Sequence, residues 1–349
     1  MGAAYHDWMF PARTYARFFR RYVESTRGVR RPIEVSWFIS TDCPIRCGGC
    51  LFFGGDGRPS FAADRVLTLD EKLAIVAQLR DIRLPFLAIT GGEPFLDRDL
   101  MPLVRAARDA GIACGITTNG LAAGPAEILA FDGLLHVVWI SLDGFAPAHE
   151  AIRGPGTYER SLATLKALAG VSRRTRVGVS TVLNRHNIAG IPRFLEFLLT
   201  IGVERVGLKV NVVPELRPDF AEHGAVLEEI VALKKAHPRF IALTPEFIRA
   251  IPLLSAPAHA KDGCRLDLWA HPAILPDGRL SACAAYPVIA GDLTREHIAS
   301  IMDRGGPDAF AAAGACPGCV RGDLPLYDLF LGRPWYRISP ADALKILHT

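Results

Sequence analysis

Residues 33–50 read Ile33-Glu-Val-Ser-Trp-Phe-Ile-Ser40-Thr-Asp-Cys43-Pro-Ile-Arg-Cys47-Gly-Gly-Cys50: a short apolar run that ends in a loop carrying three cysteines. An apolar run of this length bounded by polar and turn residues reads as a buried strand. Five more runs of the same kind follow, at Phe86 to Thr90, Ile112 to Thr117, Leu135 to Leu142, Arg176 to Leu183 and Glu204 to Val210. Amphipathic stretches separate them. Thr68 and Glu71 make a T-x-x-E capping box ahead of Leu69, Leu73, Val76 and Leu79 on one helical stripe. Further helices fit Asp99 to Ala110, Tyr158 to Ala169 and Ile188 to Ile201, the last stopped by Gly202. Strands alternating with helices imply an α/β fold with parallel strands and right-handed crossovers. Six such units in about 180 residues suit a partial (β/α)6 TIM-like barrel, with its site at the C-terminal ends of the strands.

The rhythm breaks after Pro214, and Pro252, Pro257 and Gly263 mark a boundary. The expected organisation is an N-terminal arm over residues 1–32, the barrel over 33–240, a small C-terminal α+β domain over 255–335, and a tail or helix over 336–349. Residues 271 to 284 read as a hairpin turning at Pro276, Asp277 and Gly278. No window of 18 apolar residues suggests a membrane span, and no secretory signal opens the chain, so a cytoplasmic protein is expected. The net charge of +4 is misplaced as a guide to partners. Residues 12–31 hold seven arginines against Glu24, leaving the remainder at −2, and a nucleic-acid-binding body is not indicated. Tyr15, Phe18, Phe19 and Tyr22 fall on one side of this arm with arginines on the rest. Such a helix can cap the barrel with a solvated basic face, or contact an anionic membrane surface as a peripheral partner.

Eight cysteines in a reducing compartment point to metal ligation rather than disulfides. Cys43, Cys47 and Cys50, spaced C-x3-C-x2-C on one loop, supply three thiolates. A cubane held by three leaves one iron open, whereas structural zinc is usually closed by four ligands. This spacing resembles the signature of the radical S-adenosylmethionine (SAM) superfamily, in which the open iron of a [4Fe-4S] cluster binds SAM. Thr90-Gly91-Gly92-Glu93-Pro94, at the end of the second strand, resembles the family's GGEP motif. By that resemblance Gly91, Gly92 and Glu93 bind SAM, with the Glu93 carboxylate on its amino group. Thr117-Thr118-Asn119-Gly120 and Ser141-Leu142-Asp143-Gly144 are similar to further family segments, which implies SAM contacts at Thr118 and Ser141. Ser180 is a looser cofactor-binding candidate, with a satisfied barrel serine as the alternative. Lys209 faces SAM or substrate if it points into the barrel. Gly49 departs from the pattern, since many members carry an aromatic residue there; Phe52 and Phe53 either take over that cover or pack in the core.

Cys264, Cys283, Cys316 and Cys319 resemble the ligands of a Twitch or SPASM extension, which implies an auxiliary [4Fe-4S] cluster. A zinc site remains open for these four. Cys114, early in a strand, is expected to be a buried inert thiol. The resemblance covers about residues 33–322. It implies an oxidoreductase in which a flavodoxin- or ferredoxin-type reductant supplies one electron, SAM yields a 5′-deoxyadenosyl radical, and that radical abstracts hydrogen from a small-molecule, sugar or lipid substrate. With about 32 residues ahead of the barrel, a peptide-recognition domain of about ninety is not expected. A ribosomal peptide maturase of the SPASM type stands as the alternative, as does a non-catalytic iron-sulfur or zinc protein on the same barrel.

Overall fold

The computed structural model describes residues 17, 20–21, 23–24, 29, 31–50, 52–53, 61, 63–171, 173–211, 213–255 and 271–304. Six parallel strands, β1 (Glu34–Phe38), β2 (Phe86–Thr90), β3 (Ala113–Thr118), β4 (Val137–Ser141), β5 (Arg176–Leu183) and β6 (Arg205–Val210), pair in sequence order. Between and after them run α1 (Leu69–Asp81), α2 (Leu100–Asp109), α3 (Pro125–Leu129), α4 (Ala146–Arg153), α5 (Thr157–Ala169), α6 (Ile191–Thr200), α7 (Gly224–Ala236) and α8 (Pro245–Ser255). All six expected strands are present within about two residues of their expected ends. The capping box is formed as read: Glu71 N–H donates to Thr68 Oγ1 at 3.3 Å and Thr68 N–H to Glu71 Oε2 at 2.9 Å. Between the strands, two helices escaped the periodic reading, α3 and α4, whose five and eight residues are too short for a clear stripe.

One face of each strand packs outward against the helices. Val35, Trp37, Leu87, Ile89, Ile116, Val138, Ile140, Val179, Val206 and Leu208 belong to this main core. Cys114 lies there too, 1% exposed, and burial pushes its thiol up to about 12, as an inert thiol requires. The opposite face lines the barrel. Its rows follow from register: Trp139 pairs Gly178, Ser141 pairs Ser180, and Val182 pairs Lys209. A Cβ on Gly178 would stand 2.5 Å from the Trp139 ring, so that glycine lets the indole lie flat across the lumen.

The C-terminal segment continues the same sheet. β7 (Ala273–Ile274) adds parallel to the free edge of β1, and β8 (Arg279–Ser281) and β9 (Ile289–Asp292) follow antiparallel, with α9 (Ile298–Asp303) closing the described chain. Gly278, at φ +92°, makes the expected turn. Against the inner face of β1 a second apolar cluster forms from Phe38, Phe52, Phe61, Ala273, Leu275 and Ala284, with Cys50 and Phe53 at its margin.

At the other end of the barrel the arm meets helix C-termini. Arg17 donates to the Leu84 and Ala110 carbonyls at 2.9 and 2.8 Å, and Arg21 to the Ile82 carbonyl. These carbonyls lie at the exits of α1 and α2, where a cation offsets the negative helix end. Arg17 and Arg21 thus face the barrel floor, while Arg20 bonds Glu24 and Arg31 pairs with Asp303. No described helix is long and apolar enough to cross a membrane.

Candidate functional site

The three-cysteine loop leaves β1 at its C-terminal end and is held there by backbone pairing to the loop after β2. Gly92 N–H donates to the Ser40 carbonyl at 2.7 Å and Glu93 N–H to the Asp42 carbonyl at 2.6 Å. The approach is very close. A Cβ on Gly92 would sit 2.1 Å from the Asp42 oxygen, and one on Gly91 2.8 Å from the Ser40 oxygen, with Gly91 at φ +132°. These glycines thus permit the close contact between the two loops.

Glu93 is 1% exposed and ties three strands' ends together. Its Oε1 accepts the Thr118 hydroxyl at 2.7 Å and the Phe95 N–H at 3.2 Å, and its Oε2 accepts the Asn119 N–H at 2.8 Å. Burial raises its pKa above the ordinary carboxylate value, and these bonds hold it down. A carboxylate offers about four acceptor directions, so one remains for a further donor such as an ammonium. Thr118 shares its register row with the outward-facing Ile140, and its hydroxyl is directed to Glu93. That bond orients the carboxylate. Below Glu93, the buried Lys72 of α1 bonds both oxygens of Asp97 at 2.9 and 2.8 Å and Asp99 at 2.9 Å. That triad fixes the turn that follows the G-G-E-P segment.

Asn119 joins the carboxylate to the thiols. Its Oδ1 accepts the Leu121 N–H at 2.8 Å, which aims Nδ2 at Cys43 Sγ, 3.7 Å away. Cys43, Cys47 and Cys50 are all half-buried free thiols. Burial raises the pKa of Cys43 and pushes Cys47 up to about 11, opposed at Cys47 chiefly by the Arg153 guanidinium. No three His, Cys, Asp or Glu side chains among the described residues converge on the single point that a lone metal ion needs. A cubane has a different requirement, because its thiolates bind separate irons. Three soft donors on one loop, with N–H···S bonds to Cys43 and Cys50 and an apolar cluster behind Cys50, fit such a cluster.

Gly49 has φ +139°, and its missing side chain is explained by Asn211, whose Nδ2 would stand 2.6 Å from a Cβ there. Phe52 packs edge-on to Phe38 at 5.0 Å and belongs to the core, while Phe53 lies 3.8 Å beneath the Arg46 guanidinium. Ser141 and Ser180 are paired neighbours on the lumen row, 6% and 7% exposed, and Lys209 is exposed on the same face. Sequence reasoning missed α4 and its Arg153. The signal was present in Gly154-Pro155-Gly156, a helix stop directly after a basic residue. Of the second cysteine set, Cys264, Cys316 and Cys319 lie outside the described residues. Cys283 follows β8, accepts the Ala285 N–H at 3.3 Å, and adjoins Ala284 of the inner apolar cluster.

Residues 37–198 match the family model described as the Radical SAM superfamily. A mycofactocin maturase from Mycobacterium ulcerans is 28% identical over 59% of this chain and 56% of its own length. An AdoMet-dependent heme synthase from Methanosarcina barkeri is 29% identical over 49% and 48%, and a PqqA peptide cyclase from Ruegeria pomeroyi 29% over 51% and 47%. The matched region thus spans about half the length of these curated relatives. Among solved structures, SuiB of Streptococcus suis bound to S-adenosylmethionine superposes with a TM-score of 0.63 at 17% identity, over 85% of this chain and 71% of that one. That likeness establishes the fold, a partial barrel of parallel strands.

Proposed function

We propose that this chain, which carries a radical SAM superfamily domain over residues 37–198, cleaves SAM at a cluster ligated by Cys43, Cys47 and Cys50 and uses the resulting radical on a substrate in the barrel lumen. The observation that carries the reading is the Asn119 bridge. One residue donates its backbone N–H to the buried Glu93 and its side chain to Cys43, so the acid and the thiol loop are set in one frame. When bound, the cluster and SAM supply a one-electron cleavage and a 5′-deoxyadenosyl radical able to abstract hydrogen. The chain's own work is positional. Glu93 offers its remaining acceptor direction to the SAM ammonium, Gly91 and Gly92 keep that carboxylate beside the thiol loop, and Ser141 and Ser180 present hydroxyls to the lumen. Lys209 and Trp139 border the space left for substrate.

For the substrate, the relatives' names favour a peptide or a heme-type small molecule. The expectation that placed sugars and lipids alongside small molecules, and peptides behind them, finds no support in those names. We take a peptide segment as the first reading, on the PqqA peptide cyclase, and a heme-type compound as the second, on the heme synthase. An oxidation assisted by an auxiliary cluster on Cys264, Cys283, Cys316 and Cys319 completes the proposal, with a flavodoxin- or ferredoxin-type electron donor. The test is anaerobic reconstitution with iron and sulfide, followed by measurement of 5′-deoxyadenosine under reducing conditions. Cys47→Ala should abolish its formation; undiminished 5′-deoxyadenosine from that variant overturns the proposal.

A further inference from the structure

We infer that Arg153, anchored by Asp143, is the positioning charge that raises the reduction potential of the cluster carried by Cys43, Cys47 and Cys50. The inference rests on the function proposed above. Arg153 is the last residue of α4, and the carbonyl of its neighbour Ile152 accepts the Gly48 N–H at 2.7 Å. The end of α4 is thereby fastened to the thiol loop between Cys47 and Cys50. A helix C-terminus carries partial negative charge, about half an elementary charge for a long helix, which opposes the arrival of an electron nearby. A guanidinium at that end carries a full positive charge, opposite in sign to the helix end.

The guanidinium is held in place. Its Nε donates to Asp143 Oδ2 at 2.7 Å, Asp143 is fully buried, and Asp143 Oδ1 accepts the Val182 N–H at 2.8 Å. The Arg153 side chain is only 13% exposed, so solvent screens it little. Asp143 partly neutralises it, while the Ile152–Gly48 bond next to Arg153 in the chain holds the charged end of α4 against the thiol loop. Cluster potentials depend on net charge and hydrogen bonding around the sulfurs. One electron arriving from a flavodoxin- or ferredoxin-type reductant adds a negative charge, and a fixed cation beside the thiolates favours that state. No bond or proton moves at Arg153, which remains protonated throughout.

The experiment is an EPR-monitored redox titration of reconstituted wild type, Arg153→Gln and Arg153→Lys, with iron content and circular dichroism measured on each. In Arg153→Gln the reduced-to-oxidised ratio at a fixed ambient potential should fall about tenfold, a midpoint lower by about 59 mV for one electron. Arg153→Lys, which keeps the charge, should recover most of the shift. An unchanged midpoint in a folded, fully loaded Arg153→Gln protein overturns the inference. Equal shifts in both variants, or loss of the cluster from both with folding intact, overturn it too, because either marks a role in building the loop. A wild type that takes up no cluster defeats the proposed function itself, a result plainly distinct from these.

Discussion

Glu93 and Asn119 are joined at 2.8 Å, carboxylate to backbone N–H, and this bond connects the exit of β2 to the exit of β3 deep below the thiol loop. Glu93→Ala should strip the acceptor from three buried donors at once: the Thr118 hydroxyl and the Phe95 and Asn119 amides. Each unpaired donor costs about 1–3 kcal/mol, offset where water enters, so a net loss of about 3 kcal/mol in urea denaturation of the apoprotein is expected. Thr118→Val removes one bond and should cost about 1 kcal/mol. If Glu93 also holds the SAM ammonium, Glu93→Gln should weaken SAM binding in calorimetry far more than Thr118→Val does. Equal effects would assign Glu93 a structural role only.

The glycines of this region differ in why they are glycine. Gly92→Ala places a Cβ 2.1 Å from the Asp42 carbonyl oxygen, a backbone atom that cannot swing aside without moving the thiol loop. Gly154→Ala meets open space and suffers only its φ of +96°. Gly154→Ala should therefore cost about 1–2 kcal/mol and leave cluster loading intact. Gly92→Ala should displace the loop and lose most bound iron after reconstitution. Full iron in Gly92→Ala would show that the two loops can separate without harm.

Much of this was legible in the sequence because it depends on local pattern. Six apolar runs, the Thr68–Glu71 box and Gly278 in its turn are decided by residues close in the chain. The site relationships were less so. Nothing near Asn119 announces that its side chain meets Cys43, 76 residues away, nor does the Gly49 neighbourhood announce the Asn211 amide that fills the missing side chain's place. The loop contact of Gly91 and Gly92 was hidden for the same reason: the atoms that forbid a side chain belong to a different loop. The arm's arginines were ambiguous because composition cannot distinguish a cation facing lipid from one facing a helix end, as Arg17 does.

His149 supplies a pH signature. It is fully buried in α4, its Nδ1 accepts the Asp143 N–H at 3.1 Å, and its Nε2 has no hydrogen-bond partner among the described residues. Burial lowers its pKa from 6.5 to about 4, with Arg153 adding to the shift. The unfolded chain therefore binds a proton that the folded one refuses in this window. Stability is fully present above about pH 6.5 and is lost as pH falls toward 4, by about 3 kcal/mol. Glu93 acts with the opposite sign, since a raised carboxyl pKa relieves a burial cost on acidification. Urea denaturation of the apoprotein at pH 7 and pH 4.5 should show the His149 loss, and His149→Leu should remove most of the slope even if it lowers stability overall. A slope unchanged in that variant would place the titration elsewhere, with His136, also lowered to about 4, as the next group to replace.

The last prediction concerns the second cysteine set and decides the reaction class. Cys283 follows the strand that continues the barrel sheet, and Ala284 beside it packs in the apolar cluster that also borders Cys50. Phe38, Phe52 and Phe61 belong to that same cluster, so the first thiol loop and the residue after Cys283 share one apolar neighbourhood. Burial of this kind is one of the factors that set the potential of a cluster. If Cys264, Cys283, Cys316 and Cys319 hold a second cubane, reconstituted protein should carry about eight irons. Cys283→Ala should bring this to about four while SAM cleavage continues, because the first three ligands lie on a separate loop. An electron-accepting second cluster further requires that the variant consume SAM in the presence of substrate yet release less oxidised product per 5′-deoxyadenosine than wild type. About four irons with one zinc in the wild type would sink the second cluster and spare the first. An unchanged product ratio in a folded Cys283→Ala protein lacking its second cluster would remove the electron-acceptor role, and with it the argument that the net reaction is an oxidation.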